Sequence, residues 1–142
     1  MIAEADPQLE FSDQGAKRGP VIICDDQPDL RETLALCLKH RGYEPLETGL
    51  GQECFRLATE TAPRAILLDL CLPDVCGLEV CAELSDSLKT RDIPVIIISG
   101  VGEADTVRNV RRAGASFYLH KPYDPNTLLA ILQRAIEENE SW

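Results

Sequence analysis

The sequence predicts a single α/β domain whose parallel sheet is covered by helices on both faces. Three observations carry this expectation. Short apolar runs alternate with amphipathic stretches five times over, the pattern of repeated β-α units. The runs are continuous rather than alternating, as strands buried on both faces require. The chain has 142 residues of which 44% are hydrophobic, enough for one core and too many for a disordered polymer.

Residues 1–19 are polar, lack periodicity and end at Gly15, Gly19 and Pro20. They read as a flexible tail, with the domain spanning 20–142. Val21-Ile22-Ile23-Cys24 is the first strand. Asp29–Arg41 is the first helix, with Leu30, Leu34, Cys37 and Leu38 on one face, Pro28 in its first turn and Gly42 as its stop. Tyr43–Thr48 is a weaker strand candidate, and Gln52–Thr61 is helical through Cys54, Phe55, Leu57 and Ala58. Ala65–Leu68 is a strand, followed by a helix over Gly77–Leu88 that presents Leu78, Val80, Cys81, Leu84 and Leu88. Val95–Ile98 is the fourth strand, and Glu103–Ala113 is a helix with a thin apolar face. Ser116–Leu119 is the last strand. Asp124 then caps a final helix with Pro125 at its first position and Leu128, Leu132, Ala135 and Ile136 on its face.

Charge narrows the range of functions. Lys and Arg total 14 against 24 Asp and Glu, a formal net charge of −10. Phosphate backbones and anionic membrane surfaces both need a basic face, so neither nucleic acid nor a membrane is expected as a direct partner. The longest aliphatic runs are Ala65–Leu68 and Val95–Ile98, far short of a membrane span. The N-terminus has no basic segment or apolar stretch of a secretory signal. A cytoplasmic location follows as an expectation. The six cysteines include no CxxC pair, so they are expected to be thiols that fill space as small apolar residues. The even spacing of Cys71, Cys76 and Cys81 matches no ligand pattern.

In a doubly wound sheet, ligands bind at the carboxyl ends of the strands. There the runs end in Asp25-Asp26, Asp69, Ser99-Gly100 and His120-Lys121-Pro122. Singly, each has an ordinary explanation as a helix cap or loop residue. Together they bring three carboxylates, a hydroxyl and an ammonium to one rim. Crowded carboxylates repel, and a hard divalent cation relieves that repulsion. Mg²⁺ takes oxygen ligands and keeps waters that a phosphoryl oxygen can replace. One carboxylate then serves as a nucleophile toward phosphorus, with Lys121 and Ser99 on the phosphoryl oxygens.

These residues resemble the response-regulator receiver domain of two-component signalling, of the stand-alone chemotaxis-regulator kind. The resemblance covers roughly residues 20–139. It is carried by Asp25-Asp26-Gln27-Pro28, Asp69 with Leu72-Pro73 and Gly77, Ile98-Ser99-Gly100, and Gly114-Ala115 through Tyr118-Leu119-His120-Lys121-Pro122-Tyr123. It implies a flavodoxin-like (βα)5 fold with strand order 2-1-3-4-5. It implies that Asp69 is the phosphoacceptor, that Asp26 binds Mg²⁺ directly with Asp25 assisting, and that the Cys71 carbonyl is a further ligand. It makes Ser99 and Tyr118 a switch pair, Lys121 the phosphoryl-binding ammonium, and Lys121–Pro122 a cis bond. It implies a histidine kinase or phosphotransfer protein as phosphodonor, and output to another protein through the fourth helix, fifth strand and fifth helix. There Arg108, Arg111, Arg112, Glu137 and Glu138 are available to a partner or a second copy, so the chain is a monomer or a phosphorylation-dependent homodimer. The resemblance further implies that the chain catalyses only its own phosphorylation and dephosphorylation and is otherwise no enzyme. Cys24, Cys76 and His120 depart from the family's usual residues. The resemblance also implies that the Cys71 and Val101 side chains flank the path of a hydrolytic water, which they would hold poorly, so slow phosphoryl loss is expected.

Three alternatives compete. An aspartyl-nucleophile phosphatase wants an acid two residues after the nucleophile, where Cys71 stands. A flavin module needs a neutral phosphate-cradling loop where Asp25-Asp26 stand. A degenerate receiver serving only for docking would lack Asp26, Asp69 or Lys121, and all three are present.

Overall fold

The computed structural model describes residues 18–100 and 104–140. Five strands, β1 (Pro20–Cys24), β2 (Glu44–Thr48), β3 (Ala65–Asp69), β4 (Val95–Ser99) and β5 (Phe117–His120), form one parallel sheet. Their order is β2-β1-β3-β4-β5. The helices are α1 (Pro28–His40), α2 (Gly51–Thr61), α3 (Gly77–Asp86), α4 (Ala104–Arg112) and α5 (Pro125–Glu140). The chain is therefore the expected (βα)5 domain, and its topological switch point lies between β1 and β3.

Strand side chains alternate between the two faces, and that alternation divides the core in two. Val21, Ile23, Ala65, Leu67, Ile96 and Ile98 meet α1 and α5 through Leu34, Leu38, Leu128 and Leu132. Ile22, Cys24, Ile66, Leu68, Val95 and Ile97 meet α2, α3 and α4 through Cys54, Ala58, Val80, Leu84 and Val110. Every residue of β3 and β4 is buried, which explains why their sequences run continuously apolar up to the polar residue that ends each.

Residues 1–17 of the tail expected over 1–19 lie outside the described residues, as do residues 101–103 and 141–142. Arg18 and Gly19 are tied to the sheet. Arg18 N–H donates to Gly42 O at 3.2 Å, and Gly19 O accepts from Glu44 N–H at 2.9 Å. Gly42 ends α1 at φ 102°, a conformation that suits glycine. Pro125 opens α5, and Asp124 Oδ1 accepts from Asn126 N–H at 3.3 Å. Two expected core residues are displaced. α3 stops at Asp86 because Ser87 turns extended, and the buried Thr90 hydroxyl caps Leu84 O at 2.7 Å. Leu88 is thereby left 78% exposed instead of joining the helix face. Leu30 is 39% exposed because the first turn of α1 stands over an open cavity with the β5–α5 loop.

The cysteines divide as well. Cys24, Cys54 and Cys81 are buried and Cys37 is half-buried, but Cys71 and Cys76 are exposed. Those two are loop residues rather than space-fillers, so the packing reading fails for them.

Candidate functional site

Asp25 and Asp69 continue the alternation of Ile23 and Leu67, and Lys121 that of Leu119. All three thus emerge on the α1/α5 side of the rim, at the switch point. There the Lys121 ammonium donates to Asp69 Oδ2 at 2.9 Å, to Asp25 Oδ2 at 3.1 Å and to Gln27 Oε1 at 3.4 Å. Asp69 is 6% exposed. Its other oxygen, Oδ1, accepts from Cys71 N–H at 3.0 Å. Asp26 is exposed at the mouth.

One oxygen from each of Asp25, Asp26 and Asp69 lies within 4.8 Å of the others. Three carboxylates crowd about the Lys121 ammonium, more negative charge than that one group offsets. Hard carboxylate oxygens with one exposed ligand fit a Mg²⁺ ion that keeps several waters, and do not fit zinc. Burial works against the Lys121 charge. The hydrogen bonds and charges of Asp69 and Asp25 outweigh it and hold the ammonium pKa above its ordinary value. A cavity of about 350 Å³ opens beside the lysine, walled by Leu30, Leu34, Cys37, Pro122 and Tyr123.

Backbone contacts hold these groups in place. Lys121 N–H donates to Ser99 O at 2.7 Å, joining the ends of β4 and β5. Lys121–Pro122 is cis. Asp25 Oδ1 accepts from Gln27 N–H at 2.9 Å. Ser99 is fully buried at the end of β4. Its position in β4 places it on the α2–α4 face, and the pairing of Ile97 with Tyr118 puts Tyr118 on that same face, partly buried. Ser99 and Tyr118 are therefore neighbours through the sheet, on the opposite face from Lys121. His120 is exposed at the end of β5. Val101, expected to flank the hydrolytic water, lies outside the described residues.

Sequence reasoning missed two anchors. Arg31 Nη1 donates to Asp25 O at 2.7 Å while its Nε pairs with Glu47 at 3.3 Å, fixing the turn that carries the acidic pair. Asp74 accepts from Gly51 N–H at 2.9 Å and Gln52 N–H at 3.0 Å, tying the β3–α3 loop to the start of α2. Those donors hold the Asp74 carboxyl below its ordinary value, Gln52 most and then Gly51. The Arg31–Glu47 and Asp74 contacts have no local sequence signal, since their partners stand 16, 22 and 23 residues apart.

Gly77 sets the depth of the site. A Cβ there would stand 2.3 Å from Asp69 O and 2.7 Å from Leu70 Cα. Only glycine lets the start of α3 approach the end of β3 this closely. The approach is sealed by Gly77 N–H donating to Leu70 O at 2.8 Å.

On the expected output face, Arg108, Arg111 and Arg112 are exposed on α4. Glu138 pairs with Arg134 of its own helix at 2.8 Å. No helix among the described residues is long and apolar enough to cross a membrane.

The family model for the response regulator receiver domain matches residues 21–133. The phosphate regulon transcriptional regulatory protein PhoB of Pseudomonas aeruginosa is 34% identical over 116 residues, which are 82% of this chain and 51% of that protein. The transcriptional regulatory protein KdpE of Mycobacterium tuberculosis is 33% identical over 119 residues, 84% of this chain and 51% of that protein. The chain thus spans about half the length of the curated relatives it matches. Among solved structures, a CheY-like receiver domain protein from Methanospirillum hungatei superposes with a TM-score of 0.82 at 23% identity, over 87% of this chain and 97% of that one. The receiver domain of a sensor histidine kinase from Pseudomonas aeruginosa has a magnesium ion coordinated in its active site cleft. It matches with a TM-score of 0.77 at 27% identity, over 83% of this chain and 97% of that one. With the alternating core, the strand order and the acidic rim at the switch point, these matches establish that the chain belongs to the response regulator receiver domain family.

Proposed function

We propose that this chain is a phosphoacceptor that takes a phosphoryl group from the phosphohistidine of a histidine kinase or phosphotransfer protein onto Asp69. The observation that carries the proposal is the Lys121 ammonium set 2.9 Å from Asp69 Oδ2 within a cluster of three carboxylates. In the transfer the donor's N–P bond breaks, a bond from phosphorus to an Asp69 oxygen forms, and the imidazole leaves with a proton. Asp25, Asp26, Asp69 and the Cys71 carbonyl would hold Mg²⁺. When bound, the ion neutralises charge on the phosphoryl oxygens. Lys121 swings its donors from Asp69 to the incoming phosphoryl oxygens, and its charge binds them in a partly buried site where Coulomb attraction is strong. The Ser99 hydroxyl reaches the same group from the opposite face of the sheet. Its movement frees space for the Tyr118 ring and alters the face made by α4, β5 and α5. A partner protein reads that face, which fits an acidic chain unsuited to nucleic acid.

The chain incubated with acetyl phosphate and Mg²⁺ is expected to gain one phosphoryl mass. Asp69→Asn is expected to gain none. Labelling of that variant at the wild-type level would assign the phosphoryl group to another residue.

A further inference from the structure

Two of the six cysteines stand apart from the rest. Cys71 and Cys76 are both exposed, and they face each other across an antiparallel β-bridge within the β3–α3 loop. The flanking hydrogen bond identifies the kind of pair. Gly77 N–H donates to Leu70 O at 2.8 Å, joining the residue after Cys76 to the residue before Cys71. This is the pattern of a non-hydrogen-bonded antiparallel pair, in which the Cα atoms come to about 4.5 Å and the side chains leave on one face. A disulfide needs Cα atoms about 4.4–6.8 Å apart with converging Cβ vectors. A bridge of this kind is suited to that requirement.

We propose that Cys71 and Cys76 are a redox modification site, closing reversibly into an intramolecular disulfide in the loop that follows Asp69. The oxidant is a peroxide. One thiol attacks the peroxide O–O bond, becoming a sulfenic acid and releasing one water. The second thiol attacks that sulfur, the S–S bond forms, and a second water leaves with both thiol protons accounted for. A dithiol reductant of the thioredoxin class reverses the step by thiol–disulfide exchange.

The other thiols are poorly suited. Cys24, Cys54 and Cys81 are buried. The Cys24 thiol is pushed up by its hydrogen bond to Cys54 and by burial, and burial pushes Cys81 up to about 11. The raised Cys24 and Cys81 thiols carry little thiolate, and burial shields all three from an oxidant. Exposure and facing geometry coincide only at Cys71 and Cys76 among the described residues. The bond would close the loop whose Cys71 N–H holds Asp69 Oδ1 and whose Asp74 holds the start of α2.

The test uses the reduced full chain and hydrogen peroxide at near-stoichiometric dose. After denaturation and alkylation with N-ethylmaleimide, four of the six thiols are expected to take the label instead of all six. Cleavage before Asp74 places Cys71 on one fragment and Cys76 with Cys81 on the next; a second cut after Glu79 separates those two. The Cys71 and Cys76 fragments are expected to remain joined until dithiothreitol is added. Cys76→Ser is expected to abolish the joined species and Cys37→Ser to leave it intact. Full labelling of all six thiols overturns the proposal. So does a link from Cys71 to Cys81, a covalent dimer in place of the internal bond, or oxidation of both sulfurs to sulfinic acid without a link. None of these readouts involves phosphoryl transfer, so they stand or fall independently of the role of Asp69.

Discussion

Replacing Gly77 with alanine tests how the start of α3 positions Asp69, the proposed phosphoacceptor. The added Cβ would lie 2.3 Å from Asp69 O, 2.7 Å from Leu70 Cα and 3.0 Å from Asp69 C. All three atoms are backbone, so no side-chain rotation relieves the contact. Real Cβ atoms essentially never come nearer than 3.0 Å, so α3 and the end of β3 must part by at least 3.0 − 2.3 = 0.7 Å. Overpacking of this kind costs about 1–3 kcal/mol. Alanine also restricts the unfolded chain, which is worth about 0.4–1 kcal/mol in the other direction. The clash wins, leaving a net loss of roughly 1–2 kcal/mol, or roughly 3–7 °C in Tm for a chain of this length. The rate effect is the sharper signature. A misplacement near 1 Å lowers the rate of a positioned reaction about 10²-fold, so a shift of the Asp69 carbonyl by most of that distance predicts a loss of roughly 10–100-fold in acetyl phosphate labelling. Thermal melting and labelling kinetics of Gly77→Ala measure both quantities. A variant with wild-type melting and wild-type labelling would refute the reasoning, because the contact would then have relaxed at no cost to Asp69.

Three further outcomes are expected. Mg²⁺ should raise the Tm of the wild type, because it binds only the folded acidic cluster, and Asp26→Ala should remove that rise in a titration followed by melting. Asp74→Ala should lower Tm at neutral pH by freeing the Gly51 and Gln52 N–H groups. Since the folded pKa of Asp74 lies below its ordinary 3.8, its contribution is complete above that value and fades as pH falls through the lowered one. The gap between wild type and variant should therefore close in acid, and a pH-independent gap would show that the carboxylate charge is irrelevant. Leu88→Ser should change stability by less than about 0.5 kcal/mol, because Leu88 is 78% exposed; a core-sized loss in chemical denaturation would mean that the residue is covered.

The sequence by itself determined the layers and the rim. β3 and β4 are buried along their whole length, so their apolar runs could only be interior strands, and the polar residue closing each run had to emerge at the carboxyl edge. That is why Asp25, Asp26, Asp69, Ser99 and Lys121 were legible as one group before any coordinate existed. The alternation of strand side chains follows from local geometry and needs no partner.

Tertiary structure decided what long-range contacts govern. The strand order places β1 between β2 and β3, and nothing in a single apolar run states which neighbour it will pair with. Arg31 reaches Asp25 and Glu47, and Asp74 reaches the start of α2, contacts whose partners are set by how the loops fold over the sheet edge. Leu88 fits the helical period of α3, but the turn at Ser87 and the Thr90 hydroxyl on Leu84 O end the helix before it. Helical periodicity continues to mark a residue after the helix has stopped, because it records spacing and not hydrogen bonding. Cys71 and Cys76 show the same limit. Their identities suggested interior packing, yet both are exposed and paired across a β-bridge in the loop that follows Asp69. Burial depends on which surfaces the folded chain covers, and that depends on every element at once.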